Sequence, residues 1–128
     1  MFGHINHARF VELLEEGRWC YMEENGLPDL LHAGKLGHVV TRIAVNYRHA
    51  VRPGETMRIE TGVKERGRSS FTMCQAIYLE PGGVKVLDAE IVNVFVENRS
   101  GRITVPDEDF VSRWSDLAAA DKKEESDG

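Results

Sequence analysis

The sequence predicts an α+β fold in which one long helix precedes four antiparallel strands and packs against one face of their sheet. Three observations lead to this prediction. Apolar residues near the N-terminus recur at helical spacing, those after about residue 38 alternate with a period of two, and short turn sequences separate the alternating stretches. The length of 128 residues and the hydrophobic content of 41% fit a single globular domain.

The first predicted element is a helix over about residues 7–25. Asn25 and Gly26 provide a C-terminal stop, and Pro28 is expected to keep the helix from resuming. Gly17 costs about 1 kcal/mol relative to alanine in mid-helix, so we expect a close approach to another backbone there. The apolar or small stripe of this helix consists of Phe10, Leu13, Leu14, Gly17 and Tyr21.

Four strands are predicted at residues 39–47, 57–64, 71–79 and 84–96. In the first, the odd positions are expected on one face, with His38, Arg42 and Asn46 on the other. The last strand is apolar on both faces near its end, which favours a partner on the second face. Residues 1–106 are therefore predicted to form one domain. Residues 107–128 are predicted to be a C-terminal extension, with a short helix at 107–120 and an acidic, solvated tail.

Composition excludes several classes of protein. The net charge of −5 argues against a nucleic-acid binder, and no apolar run is long enough to cross a membrane. We therefore expect a cytoplasmic protein. The two cysteines form no CxxC pair and no plausible metal set with the five histidines, so neither a metal nor a cofactor is expected. Residues 35–75 carry eight basic and three acidic side chains, a balance that could hold a phosphate-bearing small molecule.

Four short motifs, in their order and spacing, resemble the hotdog-fold thioesterases, in the branch of 4-hydroxybenzoyl-CoA thioesterase and its acyl-CoA relatives. They are residues 3–7 (GHINH), 15–18 (EEGR), 47–54 (YRHAVRPG) and 67–71 (GRSSF). His7 and Gly17 stand where this family usually has Asn and Ala. The resemblance extends over residues 4–106 and implies a hotdog fold, in which a sheet wraps one central helix.

The resemblance also implies an activity. The family hydrolyses acyl-CoA, or the corresponding ester of acyl-carrier protein, as homodimers or homotetramers with sites at subunit interfaces. In this family an Asp that acts as base or nucleophile, and the first strand, would precede Met1. We therefore expect the natural protein to begin further upstream. Two alternatives remain open: a non-catalytic hotdog protein that binds an acyl thioester or assists assembly, and a hotdog dehydratase, which is less favoured.

Four residues are candidates for catalysis, at or near a helix N-terminus whose amides and dipole can polarise a carbonyl. Gly3 would let the backbone approach the thioester, and His4 would donate to the carbonyl or orient water. Asn6 would fix the same water or cap the helix. Glu15 would replace the missing Asp, or it belongs to a solvated helix face and pairs with Arg18.

The other candidates would bind coenzyme A. The pantetheine arm needs a narrow channel, and the phosphates need basic side chains at its rim, although each of these could equally be a solvated charge. No Gly-rich phosphate loop is present. The channel would be lined by Tyr47, Ser69 and Ser70, and the phosphates would be held by Arg48, Arg66 and Arg68.

Overall fold

The computed structural model describes residues 6–115. Its elements are α1 (His7–Glu24), α2 (Leu27–Ala33), β1 (Leu36–Tyr47), β2 (Thr56–Arg66), β3 (Ser70–Glu80) and β4 (Lys85–Glu97), followed by a helical segment at residues 108–115. The strands form one antiparallel sheet in the order β1-β4-β3-β2. The predicted α+β class is confirmed. The predicted tail at residues 121–128 and the end of the predicted C-terminal helix lie outside the described residues.

Helix α1 lies on the sheet through a stripe spaced four residues apart. Its buried side chains are Phe10, Leu14, Arg18 and Met22. A Cβ at Gly17 would lie 3.0 Å from Cγ2 of Ile59 and 3.2 Å from Nε2 of Gln75. The close approach expected at Gly17 is therefore present, but the neighbours are side chains of β2 and β3 rather than another backbone.

Helix α2 corrects one expectation. The chain does not stay irregular after Gly26, because α2 begins at Leu27 with Pro28 in its first turn. Proline is tolerated there since the first amides of a helix have no intrahelical partner. Gly26 itself adopts a left-handed φ of 69°, which turns the chain between the two helices.

A bulge in β1 corrects a second expectation. Val40 pairs with Asn93 and Arg42 with Val92, so β1 advances two residues while β4 advances one. Because of the extra residue, the even positions before the bulge and the odd positions after it lie on the same face of the sheet. His38 consequently lies on the same inner face as Ile43 and the other odd positions that follow the bulge, and not opposite them.

The core occupies the space between the inner face of the sheet and the helices. At one end of the sheet, the segment 108–115 places two aromatic rings against two others from β3 and β4. The four rings are those of Phe71, Phe95, Phe110 and Trp114, with centroids between 4.9 and 5.8 Å apart for each contacting pair. Among the described residues, no helix is long and apolar enough to span a membrane.

Candidate active site

The N-terminus of α1 meets the end of β1. The Asn6 side chain accepts a hydrogen bond from the backbone N–H of Arg9 at 3.0 Å, and so caps the helix. The Tyr47 ring stacks on His7 with 4.2 Å between centroids and 18° between planes, and its hydroxyl lies 3.5 Å from the His7 carbonyl. The first turn of α1 and Tyr47 therefore form one exposed surface that carries the positive end of the helix dipole.

Two candidate catalytic residues, Gly3 and His4, lie outside the described residues, and Asn6 lies at the position that caps α1. The fourth, Glu15, lies on the exposed side of α1, where its Oε1 accepts a hydrogen bond from Nε1 of Trp19 at 3.4 Å. The Arg18 side chain turns away from Glu15 toward the sheet.

Arg48 is held by an ion pair. Its Nε donates to Oδ2 of Asp88, and Asn46 donates to the other oxygen at 3.0 Å. These hydrogen bonds, the one from Arg48 above all, lower the pKa of the Asp88 carboxyl. The same contact raises the pKa of Arg48. Arg48 can therefore bind a phosphate only if its ion pair with Asp88 is broken.

Arg66 and Arg68 are in a different situation. The Arg66 side chain donates to the carbonyl of Gly67 at 3.1 Å, and neither arginine forms an ion pair within residues 6–115. Ser69 is half-buried, and its carbonyl accepts from the backbone N–H of Phe95 at 2.8 Å.

The candidates fall into two groups at opposite ends of the sheet. Tyr47 pairs with Leu87 on β4, and Ser70 pairs with Val94. Seven positions along a strand correspond to about 23 Å. Within the chain, the N-terminus of α1 is therefore far from the group formed by Arg66, Arg68, Ser69 and Ser70.

A buried polar group that the sequence did not indicate lies under α1. Arg18 is 8% exposed and donates from Nη1 to Oε1 of Gln75 at 3.0 Å. Gln75 in turn donates to the carbonyl of Leu14 and to the hydroxyl of Thr61, at 2.9 and 3.0 Å. Burial lowers the pKa of the Arg18 guanidinium. Gln75 occupies an inward-facing position of β3, in alternation with apolar residues. A polar residue at such a position is the sequence feature that could have indicated this group.

A second polar pair, in which Asn93 is buried and His38 is half-buried, lies nearer the edge of the sheet. Asn93 is 1% exposed, and its Nδ2 donates to the carbonyl of Ile91 at 3.4 Å. Its Oδ1 therefore faces Nδ1 of His38, 3.1 Å away, and accepts the proton that this nitrogen carries. Burial lowers the pKa of the His38 ring; the hydrogen bond with Asn93 acts in the opposite direction, and the nearby charge of Arg18 lowers the pKa further. His38 is therefore neutral at neutral pH, with its lone pair on Nε2.

Residues 6–115 contain no group of three or more His, Cys, Asp or Glu side chains placed to hold a metal ion. The groups described above are a helix N-terminus, a phenol, the exposed carboxylate of Glu15, a half-buried imidazole, and two arginines, Arg66 and Arg68, that have no ion pair within these residues.

This chain resembles known proteins in both sequence and fold. The sequence profile of the thioesterase-like superfamily matches residues 1–114. The long-chain acyl-CoA thioesterase FadM of Escherichia coli (strain K12) is 32% identical over 97 residues, which cover 76% of this chain and 74% of FadM.

Two crystal structures extend the comparison. The probable thioesterase YbaW from Escherichia coli has a TM-score of 0.82 and 27% identity, covering 91% of this chain and 87% of YbaW. A thioesterase from Thermus thermophilus, in complex with coenzyme A and Zn, has a TM-score of 0.73 and 26% identity over 91% of this chain and 83% of its own. The predicted hotdog fold is confirmed. This chain belongs to the thioesterase-like superfamily.

Proposed function

We propose that this protein hydrolyses an acyl-CoA thioester to a free acid and coenzyme A. The observation that carries this proposal is the capped, exposed N-terminus of α1 beside Tyr47, in a chain whose relative FadM is an acyl-CoA thioesterase. The cytoplasm stays the expected compartment. Acyl-carrier protein remains an alternative carrier of the acyl group.

The N-terminus of α1 would act on the thioester carbonyl. Its first amides and the helix dipole stabilise the negative charge that develops on the carbonyl oxygen when water attacks. Asn6 stabilises the first turn by accepting a hydrogen bond from the backbone N–H of Arg9, and the Tyr47 ring packs against the same turn by stacking on His7. The carbon–sulfur bond then breaks, and the thiol of coenzyme A leaves. The proposed contacts of Gly3 and His4 remain predictions, and so does a catalytic role for Glu15.

The protein would work as a homo-oligomer that pairs through β1. This strand is at the edge of the sheet, and the side of it away from β4 has no partner within residues 6–115. An edge strand of twelve residues is a ready template for another strand. Several large apolar side chains along it are exposed, namely Val39, Val40, Ile43 and Tyr47.

A second copy is the occupant that best explains the two separated groups of candidates. Antiparallel pairing of two β1 strands about a two-fold axis reverses the direction of one sheet relative to the other. The end of one sheet that holds Tyr47 then lies beside the end of the other that holds Ser69 and Ser70. Each site would combine an α1 N-terminus from one protomer with a coenzyme A channel from its partner. A tetramer would contain two such dimers.

Within the composite site, Arg66 and Arg68 would hold the phosphates of coenzyme A. Both lack an ion pair within the described residues, so neither has to break one on binding. Ser69 and Ser70 would line the pantetheine arm. Arg48 is the weaker candidate because Asp88 already neutralises it.

A non-catalytic protein that binds an acyl thioester would have the same channel, and a dehydratase would add water without releasing a thiol. Release of free thiol from short, long and aromatic acyl-CoA esters separates the thioesterase from the other two functions, and addition of water to a crotonyl-type ester without thiol release would identify a dehydratase. We expect thiol release with at least one ester, and a loss of activity in Tyr47→Ala that Tyr47→Phe largely avoids because it keeps the ring. No thiol release by the wild-type protein with any ester would refute the proposed activity.

The phosphate contacts have a test of their own. Arg68→Ala should raise KM for an acyl-CoA ester about tenfold, the equivalent of one charge-assisted contact. The same variant should leave hydrolysis of the acyl ester of N-acetylcysteamine unchanged, because this thiol lacks the nucleotide. Arg52→Ala, at an exposed arginine in the turn between β1 and β2, is the matched control.

A further inference from the structure

We propose that the C-terminal segment of this chain, residues 116–128, docks on Arg66 and Arg68 and competes there with the phosphates of coenzyme A. The segment carries five carboxylate side chains and two lysines. It lies outside the described residues, within which neither arginine has an ion pair. The competition rests on the proposed thioesterase function, whereas the contact between the segment and the arginines does not.

The described chain ends close to Arg66. The ring of Trp114 is buried, and its centroid lies 4.9 Å from that of Phe71. Phe71 pairs directly with Arg66 across β3 and β2, so the two side chains lie on the same face of the sheet with their Cβ atoms about 5 Å apart. The C-terminal segment therefore begins two residues after a ring that packs on the direct neighbour of Arg66.

The segment is long enough to reach both arginines. Glu124 is nine residues beyond Ser115, a distance of about 14 Å along a helix and of up to about 32 Å along an extended chain. Arg68 is two residues beyond Arg66, which adds at most about 7 Å. The acidic pair Glu124 and Glu125 thus has the reach that the contact requires.

Both arginines can accept an acidic partner. Arg68 is exposed and Arg66 is half-buried, and the bond that Arg66 donates to the carbonyl of Gly67 leaves its charge uncompensated. The other two cations of β2 differ in this respect, because Arg58 and Lys64 each pair with glutamates on the sheet. The end of β2 therefore carries positive charge that the described residues do not balance.

The described carboxylates nearby are engaged elsewhere or face away. Asp107 accepts a hydrogen bond from a backbone N–H at 2.9 Å, and Asp109 pairs with Arg113 at 3.3 Å. Glu65 precedes Arg66 in β2, so its side chain points to the opposite face of the sheet. The C-terminal segment is accordingly the source of carboxylates that we expect at this place.

The turn after β4 is the competing place for the segment. Its two arginines, Arg99 and Arg102, also have no ion pair within residues 6–115. Glu97, however, donates its backbone N–H to the carbonyl of Arg102 at 2.8 Å, which places a carboxylate beside this turn. Its positive charge is thus partly balanced, whereas that of Arg66 and Arg68 is not.

Neutral substitutions in the full-length chain test the competition. Asp121→Asn/Glu124→Gln/Glu125→Gln should lower KM for an acyl-CoA ester about threefold at about 50 mM salt, with kcat unchanged, because exposed ion pairs are weak individually. The difference should disappear at about 0.5 M salt, where such charges are screened. Lys122→Gln/Lys123→Gln is the matched control and should not lower KM. An equal KM in the wild type and the acid-free variant at low salt would overturn the competition.

A second comparison shows whether the two arginines are the docking place. In Arg66→Ala/Arg68→Ala, the same three neutral substitutions should leave KM unchanged, since the segment no longer shares a site with the phosphates. A reduction of KM that persists without the arginines would indicate general repulsion between the segment and coenzyme A, and would overturn docking at this place.

The contact has a readout that does not depend on activity. A spin label attached to Ser126→Cys, in a chain that also carries Cys20→Ser and Cys74→Ala, should broaden the backbone amide signals of residues 67–70 at low salt. The amide of Tyr47, at the opposite end of the sheet, is the reference signal that should be broadened least. Added coenzyme A should reverse the broadening, which measures the competition without hydrolysis.

The outcomes separate the contact from the proposed activity. Broadening at residues 99–102 instead of 67–70, or no broadening at either place, would overturn the docking even in an active thioesterase. Reversible broadening at residues 67–70 in a protein that hydrolyses no ester would refute the activity and support the docking.

Discussion

The guanidinium of Arg18 donates to the amide oxygen of Gln75 at 3.0 Å, between α1 and the sheet, where both residues are buried. A buried cation depends on such an acceptor because the loss of one partner leaves the other desolvated and unpaired. The pair therefore fixes the distance between α1 and the sheet, and with it the position of the N-terminus of the helix.

We expect Gln75→Leu to lower the free energy of unfolding by about 3 kcal/mol, because it leaves the Arg18 guanidinium unpaired. Arg18→Met/Gln75→Leu should recover at least about 1 kcal/mol of this loss, since two apolar partners avoid the unpaired charge. Urea unfolding of the single and double variants gives the coupling. If the losses in the free energy of unfolding caused by Arg18→Met and Gln75→Leu simply add in the double variant, the two side chains do not depend on each other.

The cap of α1 gives a second prediction. Asn6→Ala removes the acceptor for the backbone N–H of Arg9 and should lower the free energy of unfolding by about 1 kcal/mol. Asn6→Ser, which can form the same bond, should stay close to wild type in thermal unfolding. If Ser reverses the loss of stability but not an accompanying loss of kcat, Asn6 also contacts the substrate or its water.

The His38 ring makes stability depend on pH. Its pKa is lower in the folded protein than the ordinary 6.5, chiefly because of burial. The unfolded chain therefore binds more protons as the pH falls below about 6.5, and the free energy of unfolding decreases by at most about 1.4 kcal/mol per pH unit. Above that range the full stability is present.

Urea unfolding at about pH 7.5 and about pH 5.5 measures this decrease. His38→Phe should show a smaller decrease than wild type, whereas His32→Phe should match wild type. An equal decrease in all three proteins would show that the ring of His38 is not the group responsible.

The β1 edge supplies the fourth prediction. Ile43 is 39% exposed near the middle of β1, so a two-fold axis there would bring two copies of this residue together. Ile43→Lys should raise the dissociation constant of the proposed dimer about 100-fold or more through lost apolar burial and charge repulsion. Analytical ultracentrifugation measures it. Ile103→Lys, at a side chain that is 65% exposed and outside β1, is the control.

The elements that the sequence predicted correctly are those with a regular period. Helix α1 and the four strands follow from apolar spacing alone, to within a few residues of their observed bounds. The expectation from Pro28 was wrong because proline, which disfavours continuation of one helix, is tolerated in the first turn of the next. The bulge in β1 has no sequence signal, and it decides on which face His38 lies.

The candidate site was predicted only where local chemistry decides it. Asn6 as a cap follows from the residue type and its place before a helix. The ion pair of Arg48 with Asp88 joins residues 40 positions apart in sequence, so no local pattern could show that Arg48 is already neutralised. The separation of Tyr47 from Ser70 likewise depends on strand order, which periodicity does not specify.

The two tryptophans differ in their surroundings: Trp19 is 62% exposed on α1, whereas Trp114 is 2% exposed within the cluster of four aromatic rings. Indole fluorescence depends on contact with water, so the two tryptophans are intrinsic probes of two different environments. Replacing Trp19 by Phe would leave an emission signal that follows the packed interior alone, and replacing Trp114 would leave one that follows the outer side of the long helix. Loosening of the two regions could thus be timed separately without attaching a dye.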